Sequence, residues 1–444
     1  MSGIRQLLER PAVLSMIRIA GAGAGFLTQL ILAWVLKPQE LGVFYSATSL
    51  AVVAAIVSTQ GYQQIAARFT ARYRQPGKTH LFAVFIGRSM GDSLRVAAVI
   101  AALIIVGAFL FPGLTAADRW AFAIGGAMVL PLTALTICTN LAGAMKYFGL
   151  CYIPEGLFRP IIFLVLVVAL VSCGFEVFIF ETSALFAAVT FGIAVAVWVL
   201  LQKLLPRWEI QPWRAGRLAR QWRREAWPLI LLSLFTNYFV DIAIICATPF
   251  LTSADVAVFG LCLKLALLVG YAVQVGQQMA VPDLAVARRS ANTEEIGNIL
   301  RRSMFVPIVA TAGAIAVIAV FGKMLLSIFG ASFAVGQTAL ILLVLSQFVR
   351  AVAGPSAHLL TLTGAQRVNA ALCAAAIAVL LLTNLVLVPA LGLTGAALAV
   401  VATYTFWVAS VAYTLHGMGE FRTDVFAVFR PKPAAKVARA AGLD

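Results

Sequence analysis

The chain has 444 residues, 62% hydrophobic and 11% charged, with a formal net charge of +16 and a mean hydropathy of +0.97. An ordinary soluble domain is about 45–50% apolar and about 25% charged. No soluble core hides this much apolar surface, and the composition makes nucleic-acid binding a poor explanation of the positive charge.

A bilayer core takes about 20 apolar residues as helix. Lipid offers no partner to free backbone groups, so spanning segments must be helical. Twelve such segments are predicted, at about 12–36, 41–60, 92–112, 119–142, 148–172, 178–201, 227–250, 256–281, 304–329, 334–361, 368–389 and 393–416. The first begins basic and then turns apolar, as a signal peptide does. It is too long for one and carries Arg18, so it is taken as the first span. Gly21, Gly23 and Gly25 give that helix thin faces for close packing. Arg88, Asp92 and Arg95 open the third span at headgroup level.

The loops set orientation. One alternating set, with the border residues Arg88 and Arg95, holds 26 of the 33 Lys and Arg; the other holds Lys37, Arg119 and Lys323. The positive-inside rule then puts both termini in the cytoplasm, which an even number of spans requires. The loops of the second set are a few residues long, leaving no external domain. The cytoplasmic excess also attracts anionic lipid headgroups. The midpoint stretch 206–226 mixes Arg207, Arg214, Arg217, Arg220, Arg223 and Arg224 with Trp208, Trp213 and Trp222. It is expected to be an amphipathic connector on the inner leaflet. It divides the chain into a lobe over 1–205 and a lobe over 227–416, with a basic tail at 417–444.

The two halves resemble each other. At an offset of 215, Glu40, Val43, Phe44, Leu50, Gly61 and Gln63 meet Asp255, Val258, Phe259, Leu265, Gly276 and Gln278. At 214, Arg88-Ser89-Met90 meets Arg302-Ser303-Met304; at 221, Leu141, Gly143, Ala144 and Lys146 meet Leu362, Gly364, Ala365 and Arg367. Two six-helix copies share their orientation and relate by an axis along the membrane normal, with a path between them. The fold class expected is an all-α polytopic membrane protein, twelve helices in two parallel six-helix repeats around a central cavity.

Charges inside spans are costly and mark function or pairing. The cations are Arg18, Arg159, Lys264 and Arg350; the acids are Glu155 and Asp241. Arg18 lies roughly 9 Å inside its helix at about 1.5 Å per residue. Arg18 and Arg350 suit an anionic substrate, since the guanidinium fork takes two phosphate oxygens; the alternative is snorkelling or structural pairing. Glu155 and Arg159, four residues apart between Pro154 and Pro160, either neutralise each other or line the cavity. Asp241 and Lys264, at similar depth, form either a buried ion pair or an ion-coupling site. Asn140, Gln274, Gln277, Gln278, Gln347 and Asn384 offer hydrogen bonds to sugars or between helices. Six separated cysteines and three scattered histidines give no metal or redox spacing, and no cofactor is expected.

The turn Leu36-Lys37-Pro38-Gln39-Glu40-Leu41-Gly42-Val43-Phe44 resembles the L-x-P-x-E-x-G-x-[FY] turn of the polysaccharide transporters. These are the oligosaccharide-flippase branch of the multidrug/oligosaccharidyl-lipid/polysaccharide exporter superfamily. Val258-Phe259 with Lys264, Pro282 closing the eighth helix, Ile328-Phe329-Gly330, Gly354-Pro355, Leu362-Thr363-Gly364 and the stretch Pro389 to Ala397 are similar too. The resemblance covers about residues 10–416. It implies MATE-like lobes, and flipping of polyprenyl-pyrophosphate-linked oligosaccharide from the inner to the outer face of a bacterial inner membrane. Glycan polymerase and export machinery are implied as partners, with membrane lipids and no nucleic acid. Two rivals stand beside it. A multidrug exporter for organic cations calls for an excess of intramembrane acids. A membrane glycan polymerase or ligase needs catalytic groups on a substantial external loop.

Overall fold

A computed structural model describes residues 11–75, 78–205, 216–289 and 293–418. These residues form helices and short turns, with no strand among them. The first half contains α1 (Pro11–Val35), α2 (Pro38–Ser58), α3 (Tyr62–Tyr73), α4 (Thr79–Leu110), α5 (Ala116–Ala144), α6 (Phe148–Ile153), a π turn (Pro154–Phe158), α7 (Arg159–Ser172) and α8 (Ile179–Leu204). The second contains α9 (Gly216–Asn237), α10 (Phe239–Ala247), α11 (Ser253–Arg289), α12 (Thr293–Ser327), a 3-10 turn (Ala331–Gly336), α13 (Gln337–Ala353), α14 (Ser356–Leu362) and α15 (Gln366–Gly417).

Among the described residues nine helices are long and apolar enough to cross a membrane, and α9 with α10 forms a tenth span bent by 83°. The whole of α1 is 25 residues long and is apolar from Ala20 to Val35, a length that suits an eleventh crossing. The twelfth comes from α15, whose 52 residues would run about 78 Å if straight. Gly392 breaks it at φ 56°, ψ −131°. A Cβ on Gly395 would overlap the carbonyl of Leu387, eight residues away and about 12 Å distant in a straight helix. The chain therefore reverses there, and α15 is two spans. The protein is a multi-pass membrane protein.

Helix starts on the face opposite the basic loops share one device. The Lys37 N–H donates to Glu40 Oε2 at 3.1 Å, Thr115 N–H to Asp118 Oδ2 at 3.2 Å, and Phe178 N–H to Glu181 Oε2 at 3.1 Å. At α11 the Asp255 N–H donates to Thr252 Oγ1 at 3.2 Å, and that hydroxyl donates to Asp255 Oδ2 at 2.7 Å. Each acid satisfies an orphan backbone donor or its cap and complements the helix dipole. Four of the few charges on this face are thus helix caps.

The duplication is visible in element order. The starts of α2, α4, α5 and α6 at Pro38, Thr79, Ala116 and Phe148 recur at Ser253, Thr293, Ala331 and Gln366, at offsets of 215, 214, 215 and 218. Left-handed residues follow two positions after α5 and α14 alike, Lys146 (φ 68°) and Gly364 (φ 81°). Around α5 pack α2, α3, α4 and α8; α11 to α13 and α15 make the second lobe.

The lobes meet along α2. A Cβ on Gly42 would overlap the Ser253 carbonyl, and one on Gly260 would press into the Tyr45 ring. Ser46 and Thr248 hydroxyls are 3.0 Å apart. Toward the same face, the Trp34 indole donates to the Ile328 carbonyl at 2.7 Å, and Phe26 meets Phe329 edge-on at 5.6 Å.

Several segments extend beyond the spans expected. The loop expected over 61–91 holds α3 and the first turns of α4. Pro282, expected to close the eighth helix, lies inside α11, which runs on to Arg289. Residues 216–226 continue directly into the seventh span as the base of α9, and Trp222 is fully buried rather than turned to the leaflet. Residues 206–215 and the tail from 419 lie outside the described residues.

Candidate functional site

The site is built on two helix irregularities. At Pro160 the chain has no N–H to return to the Gly156 carbonyl, and α6 passes into α7 through a π turn closed by the Arg159 N–H donating to Pro154 O. The turn packs tightly on α1, where a Cβ on Gly21 would overlap the Gly156 carbonyl. Gly23 and Gly25 have nothing within 4 Å, so only the first of the three glycines makes the close approach. Across the lobe boundary, the 83° bend between α9 and α10 centres on Tyr238 (φ −124°, ψ 23°). It places Asp241 in the first turn of α10.

Four of the six candidate residues come together here. Asp241 Oδ1 accepts from Ser49 Oγ of α2 at 2.9 Å. Lys264 Nζ donates to Gln29 Oε1 of α1 at 3.0 Å and stands 3.7 Å from the Tyr45 ring centroid. Tyr45 OH donates to the same Gln29 oxygen at 2.6 Å. The Arg159 guanidinium lies 5.6 Å from the Phe186 ring. Lys264 and Arg159 are within electrostatic reach of Asp241, and Arg159 is within reach of Glu155. The Tyr238 hydroxyl is within electrostatic reach of Glu155, Asp241 and Arg159. All four charged residues are half-buried, and Asp241 and Lys264 stand at the boundary between the lobes.

Neither sequence pair closes into a direct ion pair. No described carboxylate lies within 4.0 Å of Arg159, Lys264 or Arg350. Asp241 and Lys264 instead take neutral partners from the opposite lobe, Ser49 on α2 and Gln29 on α1 respectively. Arg350 stands apart inside the second lobe. Its Nη1 donates to Gln347 Oε1 at 2.8 Å, and its guanidinium lies 5.3 Å from the Tyr404 ring. The side chain of Arg18 lies outside the described residues; its backbone is on α1.

The neutral polar residues divide. Gln347 serves Arg350. Gln277 Nε2 bridges to the carbonyls of Arg350 and Gly354 at 3.2 and 2.9 Å, holding the end of α13. Asn140 and Asn384 donate to carbonyls of their own helices, Thr136 at 2.8 Å and Leu380 at 2.7 Å. The sequence reading missed Gln29, Tyr45, Ser49 and Tyr238. Only the position of Gln29, mid-span in an apolar helix, was a signal of the kind that intramembrane polarity gives.

No protein-family model matches the sequence, and no curated protein matches it. Solved structures do. An inward-facing multidrug resistance MATE family transporter of the MOP superfamily superposes with a TM-score of 0.70 at 13% identity, over 95% of this chain and 99% of that one. The lipid II flippase MurJ, in an inward closed conformation, gives 0.70 at 12% identity, over 98% and 93%. This is their fold. An outward-facing MATE family transporter of the MOP superfamily gives a lower score, 0.58 at 13% identity, over 96% of each chain. In this chain α2 and α11 are in close contact on the face opposite the basic loops.

Proposed function

We propose that the chain is a flippase carrying polyprenyl-pyrophosphate-linked oligosaccharide from the cytoplasmic to the outer face of a bacterial inner membrane, by alternating access, for surface polysaccharide synthesis. The observation that carries the reading is a set of intramembrane cations, Arg159, Lys264 and Arg350, held by rings and amides with no described carboxylate within 4.0 Å. A cation in low dielectric calls for a counter-charge, and a pyrophosphate head would supply it without protein ion pairs to break. The aromatic and amide partners hold each side chain in place and leave charge to spare for the ligand. The lipid tail stays in the bilayer, the glycan crosses between the lobes, and no covalent step occurs. The basic loops face the cytoplasm on this reading, and both termini lie there.

Export of small molecules is the second reading. It is favoured by the half-buried carboxylates of Asp241 and Glu155, which suit an organic cation, and by the match to MATE transporters. One experiment separates them. Purified protein in liposomes is given a fluorescent polyprenyl-pyrophosphate sugar on one side, and its appearance on the other is followed. A parallel set is loaded with an organic cation. Protein-dependent movement of the sugar lipid and none of the cation supports the flippase; the reverse replaces it by the exporter.

A further inference from the structure

Among the described residues, Trp222 is the largest side chain buried below 2% exposure. Its ring meets Phe85, Tyr73 and Phe69 at centroid distances of 5.2, 6.1 and 6.2 Å, and its N–H donates to Tyr73 OH at 3.0 Å. Beside it, a Cβ on Gly61 would overlap the Ala226 carbonyl, and Gln64 Nε2 donates to Ser233 Oγ at 2.9 Å. The base of α9, which opens the second lobe, is thereby fixed to α3 and α4 of the first.

This packing gathers like charges. α3 and the turn after it carry four exposed basic residues between Arg68 and Lys78; α9 carries three between Arg220 and Arg224. Arg88 and Arg95 stand on α4. Against these nine cations are two acids: Glu225 pairs with Arg68, and Asp92 pairs with Arg95 at 3.1 Å and Arg88 at 3.6 Å. Arg223 and Arg88, one from each lobe, both lie within electrostatic reach of the Tyr62 hydroxyl. The Nε of Arg88 is buried without a partner. The aromatic cluster offsets the repulsion, but the surface remains strongly positive.

The membrane level is marked as well. Trp227, one turn along α9 from Arg223, is 61% exposed and followed by the exposed Leu231. An exposed tryptophan between charged and apolar turns sits at the headgroup boundary. The cations lie just beyond it, at the depth of lipid phosphates.

From this juxtaposition we infer that the α3–α4–α9 surface is a binding platform for anionic phospholipid headgroups, separate from the interlobe wall. Because both lobes contribute, a lipid held there favours the arrangement in which Trp222 is buried. Glycan and transport play no part in it.

The test uses the full chain in nanodiscs of phosphatidylcholine alone or mixed equally with phosphatidylglycerol, reading the thermal unfolding midpoint and the phosphatidylglycerol retained. The midpoint should be higher in the mixture. Each arginine near the surface contributes about fivefold to anionic-lipid affinity, so Arg223→Gln with Arg224→Gln should weaken retention about 25-fold and remove most of the midpoint difference. Arg301→Gln with Arg302→Gln, exposed at the base of α12, should change both readings less, because the second lobe's cations stand there without those of the first. Equal midpoints in the two lipids, or equal losses from the two double variants, would overturn the platform. So would inorganic pyrophosphate raising the midpoint in neutral nanodiscs as far as phosphatidylglycerol does, since the surface would then be a site for soluble anions.

Discussion

Replacing Gly42 by alanine should force the lobes apart on the face opposite the basic loops. The new Cβ would overlap the Ser253 carbonyl oxygen and lie 3.2 Å from the Ala257 nitrogen. Both are backbone atoms of the first turns of α11, which the Thr252–Asp255 cap holds in place. They cannot swing away as the end of a flexible side chain can. Overpacking of this kind costs about 1–3 kcal/mol. Falling on the closed arrangement alone, it raises the ratio of open to closed about 5- to 150-fold. The assay starts from a variant with the six native cysteines replaced and Ser46→Cys added. Ser46 is buried at 5% exposure, beside Thr248 across the lobe boundary. A membrane-impermeant maleimide applied from that face should label it faster, by up to the same factor, once Gly42→Ala is present. Gly23→Ala is the control, because nothing lies within 4 Å of the added carbon. An unchanged labelling rate at normal protein level would refute the idea that this seam closes the pathway.

Three further outcomes follow from the geometry. Arg159→Ala and Arg350→Ala should each weaken substrate capture about ten- to a hundredfold, because a hydrogen bond to a charged group is worth about 1.5–3 kcal/mol; surface glycan and membrane protein level measured together check this, and lysine should restore part of it. Asp241→Asn keeps Ser49 as a partner, and Lys264→Met leaves the Gln29 oxygen bonded to Tyr45, so each should accumulate normally. A direct buried ion pair would instead cost about 3–5 kcal/mol on breaking and show recovery in the double variant. Trp222→Ala should cost about 3–5 kcal/mol, whereas Trp222→Phe should cost about 1 kcal/mol for the lost bond to Tyr73. Thermal midpoints in detergent should rank the three proteins in that order.

Hydropathy by itself determined the number of crossings, because a span must be long, apolar and helical whatever its neighbours are. It also determined which loops carry the positive charge. The repeat was legible for a related reason: duplicated helices keep their lengths, so their starts recur at nearly one offset even where side chains have diverged. The depth of Asp241, Lys264, Arg159 and Arg350 could be estimated too, since each residue advances a helix by a fixed rise. The direction in which each side chain points was not legible. The 83° bend at Tyr238 and the π turn before Arg159 reset the helix faces, so the i,i+4 spacing of Glu155 and Arg159 and the equal depths of Asp241 and Lys264 did not become contacts. Tertiary packing decided that Ser49 and Gln29, polar residues of ordinary appearance, meet those charges across the lobe boundary. It also decided that Arg350 stands apart and that Trp222, expected at the membrane surface, is buried. A one-dimensional pattern records how far along the membrane normal a residue lies; its neighbours within the plane are set by how bent helices pack.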